Sequence, residues 1–86
     1  MGDYLLKKLG ELKNKFAFIR EARGAGLMTA LDLNIESFPI FLKALKEGLV
    51  INSTHNTVLR IMPALNVSKQ ELDQGLGILE DVLNDF

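Results

Sequence analysis

The sequence predicts an α+β layer: a mostly antiparallel four-stranded sheet with helices packed on one face, in the order α-β-β-α-β-β-α. Three observations carry that expectation. Apolar residues recur at helical spacing near both ends of the chain, two pairs of short β-favouring runs lie between them, and a third helical stretch separates those pairs.

Leu5, Leu9, Leu12 and Phe16 follow the i, i+4, i+7, i+11 spacing that draws one apolar stripe on a helix of about residues 3–15. Lys7, Glu11 and Lys15 stand at i,i+4 intervals on it, the spacing of surface ion pairs. "FAFIREAR" (16–23) then turns to β-favouring residues, and Gly24 and Gly26 punctuate the chain. In "LMTALDLNI" (27–35), Leu27, Thr29, Leu31 and Leu33 fall on one face, with Met28, Ala30 and Asp32 on the other, as a strand requires. These two runs read as an antiparallel pair with the glycines supplying its turn. Ser37 reads as the N-cap of a second helix that tolerates Pro39 in its first turn and carries Phe38, Phe41, Leu42 and Leu45. Gly48 stands where a left-handed residue ends such a helix. "LVINS" (49–53) and "TVLRIM" (57–62), separated by "THN", have hairpin spacing. Ser68 and Glu71 make a capping box, Val67 and Leu72 are placed as a hydrophobic staple, and Leu72, Leu76, Leu79 and Leu83 repeat the first helix's spacing. Gly75 and Gly77 interrupt that last helix. Gly75 lies near the apolar stripe, where close packing onto a sheet would account for it; the pattern offers no reason for Gly77.

Eighty-six residues make one domain, 1–86, and 48% apolar with 24% charged residues is the composition of a globular chain rather than a disordered one. No apolar stretch approaches the ~20 residues of a membrane span, and the first residues do not read as a signal peptide, so no membrane partner is expected. The absence of cysteine excludes disulfides and thiolate metal sites and is compatible with a cytoplasmic location. Charge is uneven: net +3 up to Arg23 and −4 beyond it. The basic end reads as a solvated helix face more readily than as a nucleic-acid patch, since no RNA-binding signature accompanies it.

Self-contained catalysis is hard to find. His55, the one histidine, sits in the predicted turn without a carboxylate at ligand spacing, and Ser53 and Thr54 beside it lack the third group of a nucleophilic triad. "RGAGLMT" (23–29) begins like a dinucleotide fingerprint, yet Thr29 stands in place of the third glycine and a strand follows instead of a helix. That leaves Arg60, one guanidinium in the apolar run "VLRIMPAL" (58–65). A strand there sends Val58, Arg60 and Met62 one way and Thr57, Leu59 and Ile61 the other. Two readings stand. Arg60 lies on an exposed edge with its head in water, or pairs with Glu21 or Asp32; alternatively its planar fork is a preorganised clamp for a carboxylate. Pattern alone favours the first, while Pro63 ends the strand and would place Arg60 beside a cleft.

Three ordered blocks bear on that choice: "EARGAGLMTALDL", "ALKEGLVIN" and "NTVLRIMPALNVSKQELDQGLGILEDVL". Together they closely resemble the C-terminal segment of the class III, ornithine-type pyridoxal-phosphate aminotransferases, over essentially Asp3 to Phe86. The wording after Arg60, with Pro63-Ala64 where many members have two prolines, is most similar to the acetylornithine and succinylornithine branch. The resemblance implies that residues 1–86 are the C-terminal small domain of a larger fold-type I enzyme. It implies a transaminase moving an amino group between N-acetylornithine and 2-oxoglutarate in arginine biosynthesis, cytoplasmic and homodimeric. The partners it implies are the large pyridoxal-phosphate domain of the same enzyme and a small amino-acid substrate, with no nucleic acid. Arg60 falls on the family's arginine for the substrate α-carboxylate, and Arg23-Gly24 on a turn of structural role. Gly26, Gly48, Pro63, Ser68 and Glu71 join Arg23 and Gly24 as expected structural positions. No lysine matches the cofactor lysine, so this segment is expected to be inactive alone and to bind no pyridoxal phosphate by itself. Without the resemblance, a free-standing amino-acid-binding regulatory module with a ferredoxin-like layer, or an oligomerisation domain, would fit the residues too.

Overall fold

The apolar stripes become the two long helices of the computed structural model, which describes residues 2–25, 28–63 and 67–86. Helix α1 spans Gly2–Lys15 and α3 spans Lys69–Leu83; between them lie β1 (Ile19–Ala25), β2 (Met28–Leu33), α2 (Phe38–Lys46), β3 (Asn52–Thr54) and β4 (Val58–Ile61). The expected α-β-β-α-β-β-α order is therefore the observed one. The four strands form one antiparallel sheet in the order β1-β2-β4-β3. Helix α1 packs over β1 and β2, α2 packs beside β3, and α3 touches both other helices.

Period-two alternation decides which side the helices cover. Thr29, Leu31 and Leu33 of β2 and Leu59 and Ile61 of β4 are buried against Leu5, Leu9 and Leu12 of α1 and Leu72, Leu79 and Leu83 of α3 in one core. Each leucine fully removed from water there contributes about 1.5–3 kcal/mol relative to an exposed one. The opposite sheet face carries Arg23, Met28, Ala30, Asp32, Val58 and Arg60; among the described residues no helix covers it, and of these side chains only Val58 is buried.

Helix ends show which local expectations were sufficient. At α3 the Ser68 Oγ accepts from the Glu71 N–H and Glu71 Oε1 accepts from the Ser68 N–H, both at 3.1 Å. The Ser68 N–H on the carboxylate, and after it the Ser68 hydroxyl, hold the Glu71 carboxyl below its ordinary value, so their contribution is present at neutral pH and is lost as pH falls through the depressed folded value. At the end of α2, Gly48 takes φ +87, and the Leu49 N–H reaches the Ala44 carbonyl at 2.8 Å while the Gly48 N–H reaches Leu45, a Schellman closure.

Ser37 departs from expectation. Its side chain makes no cap; it is fully buried, sharing a hydrogen bond with Ser53 Oγ and donating to the Asn56 carbonyl at 3.1 Å. A nonlocal partner won because the β3–β4 turn, with His55 and Asn56 both at positive φ, packs against the start of α2. The ion pairs of α1 also differ. Lys8 pairs with Glu11 at 3.6 Å, and Lys15 reaches across to Glu80 of α3 at 2.9 Å. Tyr4 of α1 donates to Asp73 of α3, and that carboxylate raises the phenol's pKa by holding its proton. The first strand begins only at Ile19, because Phe16 still belongs to the end of α1 through its N–H bond to Leu12 and Ala17-Phe18 form the turn.

The glycines divide in an unexpected way. Gly24 is not in a turn but inside β1, opposite Thr29, where an added Cβ would lie 2.7 Å from both the Met28 carbonyl oxygen and Thr29 Cγ2. Gly26 lies outside the described residues. Close packing does not explain Gly75, whose Cβ would make an ordinary 3.6 Å contact with Leu49 Cδ1 rather than meet the sheet. Gly10 and Gly77 face open space, and nothing in the structure explains glycine at either. Replacing Gly10 or Gly77 with alanine should therefore stabilise its helix by about 1 kcal/mol. A raised midpoint in thermal unfolding checks this; a lowered one would reveal a packing role at these sites.

Candidate functional site

Strand register brings the chemically interesting residues to the uncovered face. Across the sheet, Arg23 of β1 stands opposite Ala30 of β2, Ala30 opposite Arg60 of β4, and Arg60 opposite Asn52 of β3, so these four share one row. The next row holds Glu21, Asp32, Val58 and Thr54. Because Ala30 is short, the two arginines of the first row flank a shallow depression bordered by Met28 and Met62.

Arg60 is not at an edge. β4 lies between β2 and β3, because the crossover through α2 carries β3 to the sheet edge and the β3–β4 hairpin returns β4 into the gap beside β2. Nor does Arg60 pair with Glu21 or Asp32. Its guanidinium is exposed, Nη2 lies 3.6 Å from Met62 Sδ, and among the described residues no carboxylate comes within ion-pair distance. β4 ends at Ile61, and Pro63, two residues on, cannot donate to a central ladder.

Asp32 is instead held by two other arginines. Arg20 Nη2 lies 3.3 Å from one carboxylate oxygen and Arg23 Nη1 3.4 Å from the other, with Glu21 3.7 Å from Arg23. A bulge makes this possible: Ile19 pairs with Leu33 and Glu21 with Asp32, so Arg20 is an extra residue in β1. Sequence reasoning missed this cluster. Counting back from the hairpin would have set Arg23 near Asp32, but no local signal marks the bulge that brings Arg20 there.

The remaining candidates stay apart from this face. His55 is exposed in the β3–β4 turn, with Nδ1 3.3 Å from Thr54 Oγ1, and the Ser53 hydroxyl is engaged by Ser37. Among the described residues no cluster of histidine and carboxylates could hold a metal. Gly48, Ser68 and Glu71 close helix ends away from Arg60.

A family profile describing the class-III aminotransferases matches residues 1–83. The chain belongs to that family. The acetylornithine aminotransferase of Caldanaerobacter subterraneus subsp. tengcongensis is 42% identical over 99% of this chain and 22% of its own length. That of Methanocaldococcus jannaschii is 39% identical over 99% of this chain and 21% of its own. The solved ornithine delta-aminotransferase of Plasmodium falciparum superposes with a TM-score of 0.92 at 30% identity, covering 99% of this chain and 22% of that one. The chain thus spans about a fifth of the length of the class-III aminotransferases it matches.

Pyridoxal phosphate, the cofactor implied by the family, does not fit the residues of this segment. A covalent site on the uncovered sheet face would need a lysine there. All seven lysines lie on helices instead: Lys7, Lys8, Lys13 and Lys15 on α1, Lys43 and Lys46 on α2, and Lys69 on α3. None stands on a strand, and Lys15 and Lys43 are engaged by Glu80 and Asp85.

Proposed function

We propose that residues 1–86 are the C-terminal small domain of a pyridoxal-phosphate aminotransferase, and that Arg60 receives the substrate carboxylate there. The observation that carries this reading is that, among the described residues, the Arg60 guanidinium meets no carboxylate on a sheet face that no helix covers, while the other two arginines are both paired. A charged group that could have been neutralised internally, and is not, is suited to an external anion. Its planar fork matches a carboxylate with two parallel hydrogen bonds, each charge-assisted.

On this reading the large domain of the same polypeptide holds pyridoxal phosphate, which supplies the electron sink for transamination. Arg60 binds and orients and moves no proton, since a guanidinium stays charged at any working pH. By fixing the carboxylate it sets which bond at the α-carbon faces the reactive group, an orientation effect. The amino donor is N-acetylornithine, as the names of the two relatives at 42% and 39% identity suggest, and the acceptor is 2-oxoglutarate, as the resemblance to the class-III family implies. The setting is arginine biosynthesis in the cytoplasm, the working form is a homodimer, and the segment is inactive alone. The test is to assay the full-length polypeptide for glutamate formation from 2-oxoglutarate with N-acetylornithine or ornithine as donor. Faster turnover with the acetylated donor supports the assignment; faster turnover with free ornithine moves the protein to the other branch.

A further inference from the structure

Asp32 is the carboxylate best placed to disable Arg60. It lies opposite Val58, on the same face as Arg60 and one pair along from Ala30–Arg60. Diagonal neighbours of this kind are about 7–8 Å apart at Cα, within the span of an arginine side chain. An aspartate free to reach across would compete with any ligand carboxylate for the same fork. In the structure it does not reach: both its oxygens are engaged from the other side, one by Arg20 and one by Arg23. The bulge in β1 looks purposeful in this light, because it adds a second guanidinium to an aspartate that already has one. Three arginines and two carboxylates, Glu21 and Asp32, occupy this face, and the pairing leaves the unmatched positive charge on Arg60.

We infer that Arg20 and Arg23 are positioning residues that hold Asp32 away from Arg60 and so keep Arg60 available for the substrate carboxylate. The inference rests on the reading of Arg60 given above. Arg20 and Arg23 touch no substrate; they act on affinity through Asp32.

The test compares variants of the full-length enzyme in steady-state transamination. R20Q/R23Q should raise the amino-donor KM about two- to fivefold, the range of a partly exposed ion pair, with kcat changed less. Adding Asp32→Asn to that variant should bring KM back toward the wild-type value, because the competitor is gone. Adding Glu21→Gln makes the same change in charge but leaves Asp32 in place, and should not restore KM. Equal rescue by both would assign the effect to the general field and overturn the inference, as would an unchanged KM in R20Q/R23Q or no rescue by D32N. A fold defect is read from the thermal midpoints of R20Q/R23Q with and without D32N, because neutralising Asp32 also relieves a stranded carboxylate: KM rescue at matched midpoints supports the positioning role, and a KM that follows the midpoint overturns it. R60A is measured alongside: if its KM and kcat are unchanged, the carboxylate reading itself has failed, whereas a damaged R60A with a normal R20Q/R23Q sinks only the positioning role.

Discussion

Replacing Arg60 with alanine in the full-length enzyme lowers kcat/KM by roughly 10²- to 10³-fold while the cofactor stays bound. The magnitude follows from two charge-assisted hydrogen bonds at about 1.5–3 kcal/mol each, taken at the lower end because the side chain is exposed in this domain. Lysine at the same position keeps the charge and loses the fork, so R60K should fall between the two. The cofactor's visible absorbance distinguishes loss of substrate binding from loss of the cofactor site, and it should be unchanged, since Arg60 is not a lysine that could carry the cofactor covalently. Stability should be little affected: Arg60 makes no ion pair among the described residues, and its removal leaves no buried charge behind. Unchanged kinetics in R60A would end the assignment.

Gly24→Ala has the second largest expected effect, and it acts on the fold. The new Cβ would stand 2.7 Å from a backbone oxygen, Met28 O, which cannot rotate away as the end of a side chain could. Either the β1–β2 pairing opens or Thr29 shifts, and Thr29 is buried with its hydroxyl donated to the Ile61 carbonyl. Overpacking of this kind costs about 1–3 kcal/mol. A urea titration should show a lower midpoint for G24A, in contrast to the raised midpoints expected for G10A and G77A. An unchanged midpoint would show that the hairpin relaxes without loss. The same substitution should also weaken activity, because moving β1 displaces Arg23 from Asp32, in the row beside Arg60.

The long helices were legible because their signals are local. Leucines every three or four residues specify which side of α1 and α3 is buried, and the Ser68–Glu71 box involves residues three apart. Gly48 was legible for the same reason, since its left-handed conformation closes a turn within five residues. Ser37 is the N-cap residue of α2, as its position suggested, but its side chain bonds Ser53 and the Asn56 carbonyl, far along the chain, instead of capping the helix. Gly24 was misjudged in kind: a glycine in a strand and one in a turn read alike until a neighbouring strand shows what its missing Cβ would meet.

By itself the sequence determined the order of elements, the buried faces of α1, β2 and α3, and the direction in which Arg60 points; it misjudged α2, where Ile40 and Ala44 are buried while Phe38, Leu42 and Leu45 are exposed. Alternation along a strand and periodicity along a helix follow from covalent geometry, and need no knowledge of the neighbours. It also carried the wording that places the chain among the class-III aminotransferases. The tertiary structure decided what lies beside Arg60. That β4 sits between β2 and β3, that β1 carries an extra residue, and that Asp32 turns to Arg20 and Arg23 all depend on strand partners brought together from distant positions. Charge pairing is set by distances of a few ångströms, and sequence spacing does not specify such distances across a sheet. For this reason the pattern left a solvated and an internally paired arginine both open, and the folded sheet removes the pairing: Arg60 is exposed, the one guanidinium on its face without a carboxylate among the described residues.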